Sequence, residues 1–148
     1  MKSDQQETFG FLLRSVRLSL LRRGERLLAS RGFDINITQY RVLKALSKVQ
    51  SMSCSELALS VEHDGGALTR VLDRLQEKGY VARRPNMADR RAIEVFMTDQ
   101  GRAAWDSIKN SVTQVNAEVF AVLSDAEQTQ LFGLLHRIRD RLDAHAEQ

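Results

Sequence analysis

Residues 64–75 read Asp-Gly-Gly-Ala-Leu-Thr-Arg-Val-Leu-Asp-Arg-Leu, and their apolar side chains recur at helical spacing. The apolar stripe consists of Leu68, Val71, Leu72 and Leu75. On the opposite face Arg70 and Arg74 lie one turn apart, and small residues stand at the beginning of the segment. Asp64 is placed to cap this helix and Gly79 to end it. The segment therefore predicts an amphipathic helix whose arginine face can approach a partner closely.

Short helices are also predicted before this segment. Ser53 and Glu56 have the spacing of a capping box, which predicts a helix that continues through Val61. Further upstream, Thr38 is a candidate N-cap for another short helix that follows a loop at 33–36. Two short helices joined tightly, the second with arginines on its outer face, are typical of a helix-turn-helix.

The composition changes from helical to strand-like after Gly79. Strand-forming residues fill 80–82 and 93–97, on either side of a basic segment at 83–91. That segment holds four arginines and one acid, a net charge of +3, which equals the formal net charge of the whole chain. We expect a β-hairpin with an arginine-rich loop.

Amphipathic helices are predicted on both sides of this region. Apolar residues recur at helical spacing from Thr8 to about Leu28 in two strips, and Thr98 is a candidate cap for a long later helix. Ser124 and Glu127 form a second capping box before a last helix. Two apolar strips on one helix exceed what one small core requires, which indicates either a contact with another subunit or a fully buried central helix.

The composition argues against several classes of protein. The 148 residues are 43% apolar and 28% charged, and no run approaches the roughly 18 apolar residues of a membrane helix. The polar N-terminal stretch lacks the features of a signal peptide, so we expect a cytoplasmic protein with no membrane partner. A single cysteine excludes an intramolecular disulfide, and His63, His136 and His145 show no ligand spacing, so we expect no metal and no cofactor. The sequence lacks a glycine-rich phosphate loop, a nucleophile elbow and a His-Glu-x-x-His helix, which argues against an enzyme.

Together these segments predict a mostly α-helical fold with a small β-hairpin wing, the winged helix-turn-helix. A B-form major groove admits an α-helix, and arginines one turn apart can contact guanine edges or phosphates. An arginine at the tip of the hairpin loop suits the narrow, strongly negative minor groove of A·T-rich DNA. The residues thus point to double-stranded DNA as a partner. A helical protein-interaction module is the alternative, and salt-dependent binding to duplex DNA separates the two.

The segment at 64–75, Lys78-Gly79, the Asp89-x-Arg91 of the hairpin loop and Thr98-x-x-Gly101 resemble the multiple-antibiotic-resistance-regulator (MarR) family. The resemblance spans about residues 8–143, and its specific motifs lie between 64 and 101. It implies a homodimeric transcriptional regulator, usually a repressor, that binds a pseudopalindromic operator. Two recognition helices related by a two-fold axis would read half-sites roughly 34–36 Å apart.

The resemblance also implies a division of the chain and a set of functional residues. One MarR-type chain, 1–148, would carry dimerisation helices at 8–32 and 99–145 and a winged helix-turn-helix at 36–98. The expected DNA-binding residues are Ala67, Thr69, Arg70, Arg74, Arg84, Arg90 and Arg91. Asp89 is expected to brace the wing rather than touch DNA. Asp73 and Glu77 are expected to balance the arginines of their own helix in surface pairs.

Members of the family commonly respond to small aromatic or phenolic compounds. The resemblance therefore implies a regulator of efflux, resistance or aromatic-compound genes that such a lipophilic effector releases from DNA. Arg14, Arg17 and Tyr40 are candidates to pair with a carboxylate and stack on a ring, while solvated arginines are equally typical of an amphipathic helix. Redox sensing through Cys54 is an alternative, because a thiol in the first turn of a helix favours the thiolate, but a small filler is common there too.

Overall fold

The computed structural model describes residues 2–61, 65–87, 89 and 91–146, which form six helices and a three-stranded sheet. The helices are α1 (Lys2–Ser30), α2 (Ile37–Leu46), α3 (Cys54–Val61), α4 (Gly65–Glu77), α5 (Asp99–Phe120) and α6 (Asp125–Ala146). The strands are β1 (Met52–Ser53), β2 (Val81–Pro85) and β3 (Ile93–Met97). The predicted fold class, mostly helical with a small β-hairpin wing, is confirmed.

The core lies among α2, α3, α4 and the sheet. Leu43, Leu57 and Leu75 have no exposed surface, and Leu68 and Leu72 of the predicted stripe are each 1% exposed. Burial of a leucine side chain contributes about 1.5–3 kcal/mol, so this stripe holds α4 in the domain. Because the stripe covers one face only, the opposite face of α4 is directed to solvent.

Short polar motifs begin several of the helices. Ser53 Oγ accepts from the backbone N–H of Glu56 at 3.2 Å and the Glu56 carboxylate accepts from Ser53 N at 2.8 Å, so the predicted capping box of α3 is confirmed. The same reciprocal pair joins Ser124 and Glu127 before α6. The prediction for α2 is wrong, because its N-cap is Asn36 and not Thr38.

Asn36 caps α2 through a reciprocal pair that resembles the other capping boxes. Asn36 Oδ1 accepts from Gln39 N at 2.9 Å, and Gln39 Oε1 accepts from Asn36 N at 3.2 Å. This pair places Thr38 inside the first turn of the helix, where it has no capping role. Asp64, the predicted N-cap of α4, lies outside the described residues.

The sheet is antiparallel in the order β1-β3-β2. The predicted hairpin is present, with Arg84 opposite Glu94 and Val81 opposite Met97. Strand β1 was not predicted, and its two residues pair with Val95 and Glu94 of β3. Two residues are too few to show an alternating pattern, so only the neighbouring strand reveals this one.

The end of α4 is joined closely to the beginning of α5. Gly79 has a φ of +73°, and Tyr80 N donates to Leu75 O at 2.9 Å to end α4. Thr98 Oγ1 accepts from Gly101 N at 2.9 Å and donates to the Gly79 carbonyl at 2.5 Å, which confirms Thr98 as the predicted cap. A Cβ at Gly101 would lie 2.0 Å from the Tyr80 carbonyl oxygen, so this approach requires glycine.

The chain forms two compact units, residues 1–112 and 113–148, and α5 runs through the boundary. In the first unit, α1 begins at Lys2, before the predicted start at Thr8. Residues 2–7 carry no apolar periodicity, so this first part of the helix could not be predicted from the sequence. Its strips are exposed, with Phe11 75% and Leu12 58% accessible, so the alternative of a fully buried central helix is wrong. In the second unit, Phe120 and Phe132 pack with ring centroids 5.2 Å apart.

Candidate nucleic-acid interface

The outer face of α4 presents two exposed arginines. Arg70 and Arg74 lie on the side opposite the buried stripe of Leu68, Leu72 and Leu75. Among the residues that the structure describes, neither arginine pairs with an acid. Both guanidinium groups are thus available to an external acceptor. Thr69 is exposed beside them, and Ala67 is half-buried at the first turn.

The expected partner of these arginines is engaged elsewhere. Asp73 was expected to balance charges on α4, but its carboxylate pairs with Arg83 of β2 at 2.8 Å. Lys78, which follows α4, contacts the carbonyl and carboxylate oxygens of Asp34 instead of an acid on the helix. Asp73 and Asp34 therefore join segments of the domain, and among the described residues no acid neutralises Arg70 or Arg74.

The wing loop between β2 and β3 has a backbone held by its own side chains. Asn86 Oδ1 accepts from Asp89 N at 3.0 Å, and Asp89 Oδ1 accepts from Arg91 N at 3.0 Å. The Asp89 carbonyl accepts from Ala92 N at 2.9 Å, and the Asn86 side chain donates to Glu94 at 2.9 Å. Arg91 is exposed at the end of this bonded turn. Arg90, a further candidate for a DNA contact, lies outside the described residues.

Arg84 lies on β2 and is held against β3. Its Nε donates to Glu94 at 3.2 Å, and its guanidinium lies 5.0 Å from the centre of the Phe96 ring. Glu94 is its directly opposite residue in the register, and opposite charges at that position stabilise an antiparallel pair. The side chain remains 52% exposed, so these contacts orient the guanidinium without burying it.

Arg83 is the residue of this region that the sequence analysis did not single out. Its guanidinium donates to Gln76 Oε1 at 3.0 Å and pairs with Asp73 at 2.8 Å, and a longer contact of 3.4 Å reaches the Thr69 carbonyl. All three partners belong to α4. Strand alternation could have indicated this orientation. Arg83 is two positions after the buried Val81, so both side chains lie on the side of the strand that faces α4.

The residues proposed for a small effector are not gathered in one pocket. Arg14 and Arg17 line a shallow cleft of about 540 Å³ formed by side chains of α1 alone, and Tyr40 is not among its lining residues. Tyr40 packs against Trp105 with ring centroids 5.5 Å apart. Burial raises the pKa of its phenol above the ordinary value.

The remaining candidate features are the single cysteine, a metal site and a membrane-spanning helix. Cys54 is half-buried and lines an apolar cleft of about 740 Å³ between α3, α4 and the wing. Within residues 2–61, 65–87, 89 and 91–146, no cluster of three or more His, Cys, Asp or Glu side chains is arranged to hold a metal ion. Over the same residues, no helix is long and apolar enough to cross a membrane.

Comparison with known proteins places this arrangement in a family. Residues 35–93 match the model of the MarR family. The chain is 33% identical over 126 residues to a putative transcriptional regulatory protein for the hcr operon of Thauera aromatica, covering 80% of this chain and 75% of the relative. Its relatives are named as transcriptional regulators and not as enzymes, in agreement with the prediction.

Solved structures give the same answer. A mutant of MarR from E. coli complexed with operator DNA has a TM-score of 0.80 and 30% identity, covering 91% of this chain and 96% of that one. The reduced form of MarR from E. coli has a TM-score of 0.77 and 33% identity, covering 87% of this chain and 94% of that one. The segments quoted from 64–101, the winged helix-turn-helix geometry and these matches agree, and the chain belongs to the MarR family of transcriptional regulators.

Proposed function

We propose that this protein regulates transcription by binding double-stranded DNA through α4 and the wing. The observation that carries the proposal is the pair Arg70 and Arg74, exposed one turn apart on α4, beside a wing whose bonded backbone presents Arg91. Two bidentate donors on a helix suit guanine edges and phosphates in a major groove. The related MarR complexed with operator DNA supports the same partner here.

Each candidate residue has a distinct role in the proposal. Thr69, Arg70 and Arg74 contact the major groove, and the small side chain of Ala67 lets the helix approach the bases. Arg91 enters the minor groove, where the negative potential of a narrow groove attracts the guanidinium more than any particular base does. Asp89 orients Arg91 through the backbone hydrogen bond at 3.0 Å. Arg84 and Arg90 are assigned to phosphates.

The proposed regulator is a homodimer. Apolar side chains of α1 and α6 are exposed in the single chain, including Phe11 at 75% and Leu142 at 66%. Exposed apolar area of this extent in a helix favours burial against a second copy. The dimerisation helices of 8–32 and 99–145 would then present two winged regions of 36–98 to a pseudopalindromic operator, with half-sites roughly 34–36 Å apart.

Control of the regulator is proposed to occur by a small aromatic or lipophilic effector. The protein would act in the cytoplasm as a repressor of efflux, resistance or aromatic-compound genes, and the effector would release it. Arg14, Arg17 and Tyr40 remain the candidates to bind the effector, and Cys54 remains the candidate for redox control. An effector acts only through a difference in affinity for the two arrangements, and coupling of about 1–3 kcal/mol is sufficient.

Titration against the intergenic DNA upstream of the coding sequence, at several salt concentrations, tests the proposal. We expect specific, salt-dependent binding. Arg70→Ala should weaken it and relax base preference, and Arg91→Ala should weaken it and reduce the salt slope by about one. Arg102→Ala, an exposed arginine at the beginning of α5, is the matched control and should bind as wild type. Wild-type binding by both Arg70→Ala and Arg91→Ala would contradict the proposal.

Salicylate, as a generic aromatic acid, tests the effector in the same titration. Release of the DNA at constant salt would support a ligand-responsive regulator, because salicylate adds little ionic strength at millimolar concentration. Binding that salicylate leaves unchanged would argue against this class of effector and direct the next titration to oxidants with Cys54→Ser as the control. Sedimentation of the DNA-free protein measures the dimer independently of both.

A further inference from the structure

Arg83 joins the wing to the proposed recognition helix. It lies on β2, and its guanidinium contacts the Asp73 carboxylate at 2.8 Å, the Gln76 side chain at 3.0 Å and the Thr69 carbonyl at 3.4 Å. These acceptors span two turns of α4. A planar guanidinium with five donors can serve several acceptors at once, which a lysine at this position could not do.

Burial distinguishes Arg83 from Arg84 and Arg91, which are exposed. Its side chain is 23% exposed, compared with 52% for Arg84 on the next position of the same strand. The side chain lies under the wing, against α4, and its donors are directed inward. The guanidinium therefore contacts acceptors within the protein and is not presented to an external partner.

Asp73 presents a second observation that a DNA-binding surface does not by itself explain. It lies on α4 between Arg70 and Arg74 in sequence, and it is 51% exposed. Near the phosphates of a duplex, an acid at this position is repelled and should weaken binding. Its pairing with Arg83 at 2.8 Å gives a structural reason for an acid at this position.

We propose that Arg83 and Asp73 form a latch that sets the orientation of the wing relative to α4, and that Arg83 is a positioning residue and not a DNA contact. The latch rests on the proposed function, since its effect is to present Arg91 and the arginines of α4 in one fixed relation. Ordering a mobile group at an interface reduces affinity, so a wing held before binding increases it. The affinity for specific DNA therefore depends on Arg83 and Asp73, although the pair carries no net charge.

The sign of the effect of Asp73→Asn tests the latch. If Asp73 acts only as a charge, its removal strengthens DNA binding. If it holds Arg83, its removal weakens specific binding, by about tenfold, the factor that corresponds to roughly 1.4 kcal/mol. Glu77→Gln is the matched control, because Glu77 is an exposed acid one turn further along α4 and has no partner among the described residues. We expect Glu77→Gln to bind as tightly as wild type or more tightly.

The salt dependence separates a latch from a phosphate contact. Arg83→Gln should weaken specific binding by about tenfold while leaving the slope of log K against log salt unchanged. A phosphate contact would instead reduce the slope by about 0.9. The double variant Asp73→Asn, Arg83→Gln should lose no more affinity than Arg83→Gln alone, because the contact with Asp73 is already broken in that single variant. A reduced slope or additive losses would overturn the latch.

Hydrogen–deuterium exchange of the DNA-free protein gives a readout that does not need an operator. Amides of residues 81–97 should exchange faster in Asp73→Asn and Arg83→Gln than in wild type and Glu77→Gln. Unchanged exchange would overturn the latch even where DNA binding is confirmed. If wild type binds no duplex, the proposed function fails, and the exchange data still decide whether Arg83 holds the wing. Should Arg83→Gln fail to fold, Asp73→Asn and Arg83→Lys provide the same comparison.

Discussion

The close contact at Gly101 predicts that Gly101→Ala destabilises the protein. A Cβ there would lie 2.0 Å from the Tyr80 carbonyl oxygen and 2.8 Å from Met97 Cγ, so the backbone between α4 and β2 must move by more than an ångström. Overpacking of this kind costs about 1–3 kcal/mol, and more where backbone must shift. The gain from replacing glycine by alanine in a helix is about 1 kcal/mol, and it is smaller in a first turn. We expect a net loss of about 2 kcal/mol.

Thermal and denaturant unfolding measures this loss, at fixed protein concentration because the stability of the proposed dimer would depend on concentration. For a chain of this size about 2 kcal/mol corresponds to a fall in Tm of roughly 4–8 °C. Gly133→Ala on α6 is the control, since a Cβ there meets nothing within 4 Å and should stabilise the helix. A Gly101→Ala variant as stable as wild type would refute the reasoning, because it would show that the backbone at Tyr80 can move away from the new Cβ without loss of stability.

Three further predictions follow from the caps and the exposed helix faces. Asn36→Ala should lower the free energy of unfolding by about 1 kcal/mol, whereas Thr38→Ala should change it by less than about 0.5 kcal/mol; a larger loss in Thr38→Ala than in Asn36→Ala would place the cap at Thr38. Hydrogen bonds from the backbone and hydroxyl of Ser53 and Ser124 lower the pKa of Glu56 and Glu127. Their stabilising contribution is therefore present above the ordinary carboxyl pKa and is lost as the pH falls through the lowered value, so the double Glu→Gln variant should lose less stability than wild type between about pH 5 and pH 3. Phe11→Glu, on the exposed strip of α1, should convert the proposed dimer to a monomer in sedimentation, and a variant that stays dimeric would exclude that strip from the interface.

Features set by neighbouring residues along the chain were predictable. The capping boxes of α3 and α6 need only a serine and a glutamate three positions apart, and both are present with the expected hydrogen bonds. The apolar stripe of α4 follows from helical periodicity, and the side opposite the stripe carries Arg70 and Arg74. The hairpin was recognisable because strand-forming residues surround a basic loop. Asn36 was a local signal too, but Thr38 offered a competing cap, and the geometry of the chain entering α2 decided between them.

The amino-acid sequence by itself determined the order of the helices, the amphipathic faces and the arginine surface, because these depend on spacings of three or four residues and on strand alternation. The tertiary structure alone decided which charges are paired. Asp73 is adjacent in sequence to Arg74 but pairs with Arg83, ten positions away, since β2 folds back along α4. It also decided that Gly101 must be glycine and that β1 exists, because both depend on backbone from a distant segment approaching within contact distance.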